Sequence, residues 1–173
     1  MTLTFRKLKD SKDDYNMLYS WCKNPNIYEW FEQRILSLEE IAKKYKRKLE
    51  DKKQELLIIQ LDNKDIGLVQ LYKYEKDIDN NLLNSYKNIY EYDIFIGDEN
   101  CLSKGIGSEV IKLINKKIYS EHNADAIVLR PFKRNIRAIK CYQKCGFKII
   151  DEYNDTDTIG NKETIEVMLN NRL

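Results

Sequence analysis

The stretch "YDIFIGDENCLSKGIGSEVI", residues 92–111, constrains the fold more than any other part of the chain. Around it, "IYEYDIFIG" reads as a strand, and apolar residues at 110, 111, 113, 114 and 118 recur at helical spacing. Between them lie an acidic loop and a Ser-Lys-Gly-Ile-Gly turn, so a strand must hand over to a helix through a glycine-rich bend. A helix amino terminus leaves its first amides unpaired and carries partial positive charge, which suits a phosphate. Gly105 and Gly107 permit close approach because they lack side chains, and Lys104 adds a cation. A nucleotide-like ligand fits this turn, and so does a tight helix start with no ligand. The dinucleotide fingerprint fails because Val110 stands where its third glycine would be, and a P-loop would need glycine ahead of Lys104.

The flanking sequence supplies the other elements of a mixed α/β domain. "LTFRKL" alternates as a strand, and Ser11 with Asp14 caps a helix carrying Tyr15, Leu18, Tyr19 and Cys22 that stops by Pro25. "SLEEIAKKYKRKLED" carries a capping box, Ser37 to Glu40, and an apolar stripe of Ile41, Tyr45 and Leu49; its lysine-rich face reads as solvated. "ELLIIQL", "DNKD" and "IGLVQLYKY" form a hairpin. Residues 75–89 read as irregular. "AIVLR" is a buried strand, "NIRAIKCYQKCGF" a helix ended by Gly146, and "KIIDEY" and "TIEVML" close the domain as strands. With no repeat and no Pro-, Gly- or Ser-rich linker, residues 1–173 are expected to form a single domain.

Composition excludes several classes. The 30 Lys and Arg nearly balance 28 Asp and Glu, so no overall field points to nucleic acid or a membrane surface. No apolar run approaches the roughly 20 residues of a bilayer span, and no signal-peptide pattern opens the chain, so a soluble cytoplasmic protein is expected. Cys22, Cys101, Cys141 and Cys145 are too few for a disulfide scaffold and suit a reducing compartment. Cys141 and Cys145 share a helix face without a second ligand pair, so no metal is expected. His122, the only histidine, reads as a surface or helix-end residue.

Together with the strand before the glycine turn, "NIRAIKCYQKCGF" resembles the GNAT superfamily of acetyl-CoA-dependent N-acetyltransferases, whose pyrophosphate loop has the form Q/R-x-x-G-x-G/A. Gly105, Ile106 and Gly107 match the loop, and Asn135, Ala138 and Tyr142 match a second helix; Leu102 departs from the usual Gln or Arg. The resemblance covers residues 90–150 and implies a central mixed, mostly antiparallel sheet of about six to seven strands with about four helices. It implies that acetyl-CoA is held by Ser103, Lys104, Gly105, Ile106, Gly107 and Ser108, by the strand Ile94, Phe95 and Ile96, and by Asn135, Ala138 and Tyr142.

Within the superfamily the chain is similar to aminoglycoside 6'-N-acetyltransferases, whose catalytic strand carries an Asp about ten residues before the glycine turn, here Asp93. That likeness implies an antibiotic pocket with Gln70 and Tyr72 on a hairpin strand, Trp30 and Phe31 as walls beside Glu29 and Glu32, and Glu91 and Asp93 as carboxylates. The implied partner is a cationic small-molecule amine, the implied outcome antibiotic resistance, and the implied assembly a monomer or homodimer. An acidic mouth would suit a polycation. Residues 75–100 contain seven acids against two lysines, and 151–158 contain four acids and no base. Arg130 stands where that family has an acid, so it must point away, pair with a neighbouring acid, or signal another acceptor.

The implied mechanism is direct transfer, with Asp93 attracting the acceptor ammonium and taking its proton, and Tyr142 protonating the departing thiolate. An ordinary carboxylate, with a pKa of about 3.9, is a weak base for an amine, so Asp93 must be perturbed or must act by orientation and charge. Alternatives are a GNAT acting on a protein amino terminus or a polyamine, and a non-catalytic acyl-CoA-binding module.

Overall fold

The computed structural model describes residues 1–172. Its strands are β1 (Leu3–Lys7), β2 (Gln54–Leu61), β3 (Lys64–Lys73), β4 (Ile89–Ile96), β5 (Ala126–Leu129), β6 (Lys148–Thr156) and β7 (Lys162–Asn171). Its helices are α1 (Lys12–Cys22), α2 (Pro25–Tyr28), α3 (Leu38–Glu50), α4 (Asn81–Asn84), α5 (Ile106–Glu121) and α6 (Ile136–Lys144). The strands hydrogen-bond in the order β1-β2-β3-β4-β5-β7-β6. β1 pairs antiparallel with β2, β5 with β7 and β6 with β7, whereas β4 and β5 run parallel. This is the mixed α/β fold that the sequence implies. The four longer helices are the expected ones; the single turns α2 and α4 are additional. The chain divides into two compact units, residues 1–71 with 93–104, and residues 72–92 with 105–173.

In the first unit, local chemistry sets each boundary. Ser11 accepts from the Asp14 amide to start α1, and Ser37 with Glu40 closes a reciprocal capping box on α3. Pro25 ends nothing by itself: with Asn24 capping, it occupies the first turn of α2, where a missing N–H costs no hydrogen bond. The β2–β3 hairpin turns through Asp62 and Asn63, both at positive φ (48° and 66°), the backbone that a tight two-residue turn requires. Leu18, Ile41, Tyr45, Ile58 and Leu68 make the centre of the core, with Phe95 of β4 packed edge-on against Phe31 at 5.1 Å. Arg6 ties the unit's layers together, since it donates to Asp14 of α1 at 2.8 and 2.9 Å and to Asp65 of β3 at 3.1 Å.

The second unit buries Leu83, Ile89, Ala126, Val128, Val167 and Leu169. Asn80 caps α4 through the amides of Leu82 and Leu83, so the segment expected to be irregular contains a helical turn. α5 presents Ile106, Val110, Ile111, Ile114 and Ile118 to the interior along with Asn115, whose Oδ1 accepts from the buried Tyr92 hydroxyl at 3.0 Å. Gly146, at φ 89°, ends α6 in the left-handed conformation.

Candidate active site

The glycine turn has the geometry its composition implies. Gly105 is the cap residue of α5 at φ 77°, where a side chain would be strained, and it offers no capping side chain to the first amides of the helix. A Cβ at Gly105 would meet nothing within 4 Å, and one at Gly107 would meet only the Cys141 sulfur at 3.8 Å. Neither glycine is therefore required by packing, and both leave the helix end open to a bulky anion. Ser103, also at positive φ (60°), and Lys104 are exposed in the preceding loop.

α6 lies against the start of α5 within the second unit. Ala138, Cys141, Tyr142 and Cys145 share its half-buried face, and the Ser108 hydroxyl sits 3.3 Å from the Cys141 sulfur. Asn135 caps α6 by accepting from the Ala138 amide at 3.2 Å. The Tyr142 ring packs 6.0 Å from that of Phe147. Cys145 donates to the Ser108 carbonyl and its thiol is pushed up by burial, so the two cysteines pack the helix pair. Among the described residues no group of three His, Cys, Asp or Glu side chains gathers as a metal site.

Arg130 pairs with neighbouring acids. Its Nε and Nη2 donate to the two carboxylate oxygens of Glu91 at 2.7 Å each, and its Nη1 donates to Asp77 at 2.7 Å. The Glu91 side chain is only 5% exposed, so this bidentate pair is nearly dry. The guanidinium also lies 5.5 Å from the ring centre of Tyr74. The two acidic segments do meet in this unit, through Asn80 donating to Asp151 at 2.8 Å. Much of their charge is already matched, since Asp77 and Glu91 face Arg130 and Glu152 pairs with Lys133.

In the first unit, Asp93 is half-buried on β4. The bonds from the Gly97 amide to the Ile66 carbonyl and from the Tyr74 amide to the Ile89 carbonyl bracket a register that sets Gln70 across from Asp93. Gln70 is buried, and its amide oxygen accepts from Lys48 of α3. One helical turn earlier, Lys44 forms an ion pair with Glu32, with side chains 21% and 23% exposed. Trp30, Phe31 and Glu32 lie just beyond α2, with Phe31 packed on Phe95, and Tyr72 is half-buried farther along β3.

The lysine-rich face of α3 is thus not simply solvated, which corrects the sequence expectation. Burial pulls the Lys44 ammonium down to about 8 and lowers Lys48 as well, while Asp93 acts on both in the opposite sense. The signal lay in the spacing: residues 41, 44, 45 and 48 fall at i, i+3, i+4 and i+7, one stripe of a helix.

This arrangement of a central sheet, an open glycine turn at a helix start and a capped second helix defines an acetyltransferase of the GNAT type. Residues 10–154 match the family model described as acetyltransferase (GNAT) domain, and the chain belongs to that family. It is similar to an aminoglycoside N(6')-acetyltransferase type 1 of Klebsiella pneumoniae, with 24% identity over 80% of this chain and 71% of that protein. It is also similar to the spermidine N(1)-acetyltransferase of Escherichia coli strain K12, with 23% identity over 82% and 71%. A solved structure of AAC(6')-Ib with paromomycin and acetyl-CoA shares the fold at TM-score 0.80, with 23% identity, over 99% of this chain and 94% of that one. Among the described residues no helix is long and apolar enough to cross a membrane.

Proposed function

We propose that this chain, working as one catalytic domain, transfers the acetyl group of acetyl-CoA directly to a primary amine of a small molecule. The observation that carries this reading is the start of α5, where Gly105 holds a left-handed backbone with open space around it and brings no capping side chain to the first amides of a 16-residue helix. In this reading residues 103–108 grip the coenzyme's diphosphate, and Asn135 and Ala138 bound the same ligand from α6. Backbone groups of Ile94, Phe95 and Ile96 align the acyl arm and polarise the thioester carbonyl.

The acceptor nitrogen, once deprotonated, attacks that carbonyl; the new C–N bond forms as the C–S bond breaks. Asp93 draws in the ammonium and receives its proton, directly or through water, and Tyr142 gives a proton to the leaving thiolate. Trp30, Phe31, Gln70 and Tyr72 bound the acceptor, whereas Glu91, whose two oxygens are taken by Arg130, stays in its buried pair. The reaction suits a cytoplasmic setting, where the coenzyme and free thiols are at home.

Two acceptor classes follow. The 6'-amine of an aminoglycoside, with resistance as the consequence, is supported by the family likeness. A different small amine is favoured by charge, because Lys44 and Lys48 stand beside Asp93 and Arg130 occupies two of the acids. A panel of kanamycin, spermidine, simple amines and peptides, assayed with acetyl-CoA by thiol release, separates them. Turnover of kanamycin supports the first, and turnover confined to the other amines supports the second. A folded protein that turns over none of them refutes the proposed activity.

A further inference from the structure

The placement of Lys44 and Lys48 bears on which amine is accepted. Both project from α3 onto the neighbourhood of Asp93: Lys48 bonds Gln70, the residue across the ladder from Asp93, and Lys44 pairs with Glu32. Asp93, Glu32, Lys44 and Lys48 therefore form a quartet of two carboxylates and two ammoniums. Neither lysine is needed to solubilise the helix, because Lys43, Lys46 and Arg47 already face solvent. Covering two cations on an apolar stripe opposes folding unless they meet negative charge; Glu32 pairs with Lys44 and Asp93 acts on both ammoniums, while the direct bond of Lys48 is to the neutral amide of Gln70.

A polycationic acceptor would bring several ammoniums against these two. An acceptor with one ammonium and one anionic group would place the first on Asp93 and the second on the lysines. Resting on the amine-acetyltransferase reading above, we infer that Lys44 and Lys48 select a zwitterionic acceptor, a primary amine that carries a carboxylate. Lys48, whose partner is an amide, is the first to engage that carboxylate; Lys44 follows by exchanging Glu32 for it.

The test uses two acceptors of equal chain length that differ only in the distal group, γ-aminobutyrate and putrescine, with kanamycin as the polycation. For the intact protein, kcat/KM is expected to be at least tenfold higher for γ-aminobutyrate than for putrescine. Lys48→Met, which keeps the aliphatic stem, is expected to erase that preference through KM for the amino acid, and Lys48→Arg to retain part of it. Lys44→Met serves as an independent variant should Lys48→Met melt early. Calorimetry of γ-aminobutyrate with the protein–coenzyme A complex reads the same preference without chemistry.

Turnover that favours putrescine or kanamycin, or a preference unchanged in both methionine variants, overturns the inference while leaving amine acetylation standing. No turnover of any amine refutes the activity instead. In that case, calorimetric binding of γ-aminobutyrate that is lost in Lys48→Met supports the lysine site, and absence of such binding overturns it.

Discussion

Replacing Arg130 with methionine removes the guanidinium from a carboxylate that has almost no access to water. Glu91 is 5% exposed at its side chain and receives two bonds of 2.7 Å from Arg130. Losing one partner of a buried pair destabilises by about 3–5 kcal/mol, because the remaining charge keeps its desolvation penalty. Arg130 itself is 22% exposed, which places the expected loss near the low end, about 3 kcal/mol. The Asp77 contact adds little, since that side chain is 54% exposed and screened by solvent.

At about 2–4 °C per kcal/mol for a chain of this size, the melting temperature should fall by roughly 6–12 °C. Thermal and urea unfolding of the wild type, Arg130→Met, Glu91→Gln and the double variant provide the test. The double variant should recover most of the loss, because the buried position 91 then carries no charge and the Asp77 carboxylate is half exposed. A single variant melting within about 2 °C of wild type, or a double variant no better than the single, would show that the pair is not the strut described.

Gly105→Ala should lose about 1–2 kcal/mol from its positive φ and raise KM for acetyl-CoA more than it lowers kcat, read by steady-state kinetics on folded protein. Asp93→Asn and Tyr142→Phe should each lower kcat by at least about 10²-fold while leaving acetyl-CoA binding measurable by calorimetry; retention of full turnover in both would remove them from the chemistry. Hydrogen bonding from Arg6 holds the Asp65 carboxyl below its usual 3.8. Its contribution to stability is therefore complete above about pH 4 and disappears as pH falls through the depressed folded value. The stability gap between wild type and Arg6→Met, followed by denaturant titration, should narrow below pH 4; a gap that widens there contradicts the pairing.

Features set by neighbours in the chain were legible in the sequence. Ser37 and Glu40 lie three residues apart and close the capping box, and Asp62 and Asn63 tolerate the left-handed backbone of their hairpin turn. The left-handed opening of α5 at Gly105 follows from the same local logic. The first helix stops before Pro25, at Cys22, as its sequence indicates, whereas the extra turn that Pro25 opens with Asn24 as its cap was not read from the sequence. The fate of Arg130 was ambiguous, since its partners Glu91 and Asp77 are 39 and 53 residues away in the chain. Lys44 and Lys48 were misread by residue type. Charge suggested a solvated face, whereas their position on the stripe of Ile41 and Tyr45 carries them inward.

The most direct test of the central claim is the stoichiometry of the reaction: folded protein, acetyl-CoA and a panel of primary amines, with coenzyme thiol and acetylated amine counted together by absorbance and mass spectrometry. One thiol released per amide formed, abolished in Asp93→Asn, is the predicted result. Thiol released without any amide, or no product from an amine panel on protein that folds and binds the coenzyme, would contradict it.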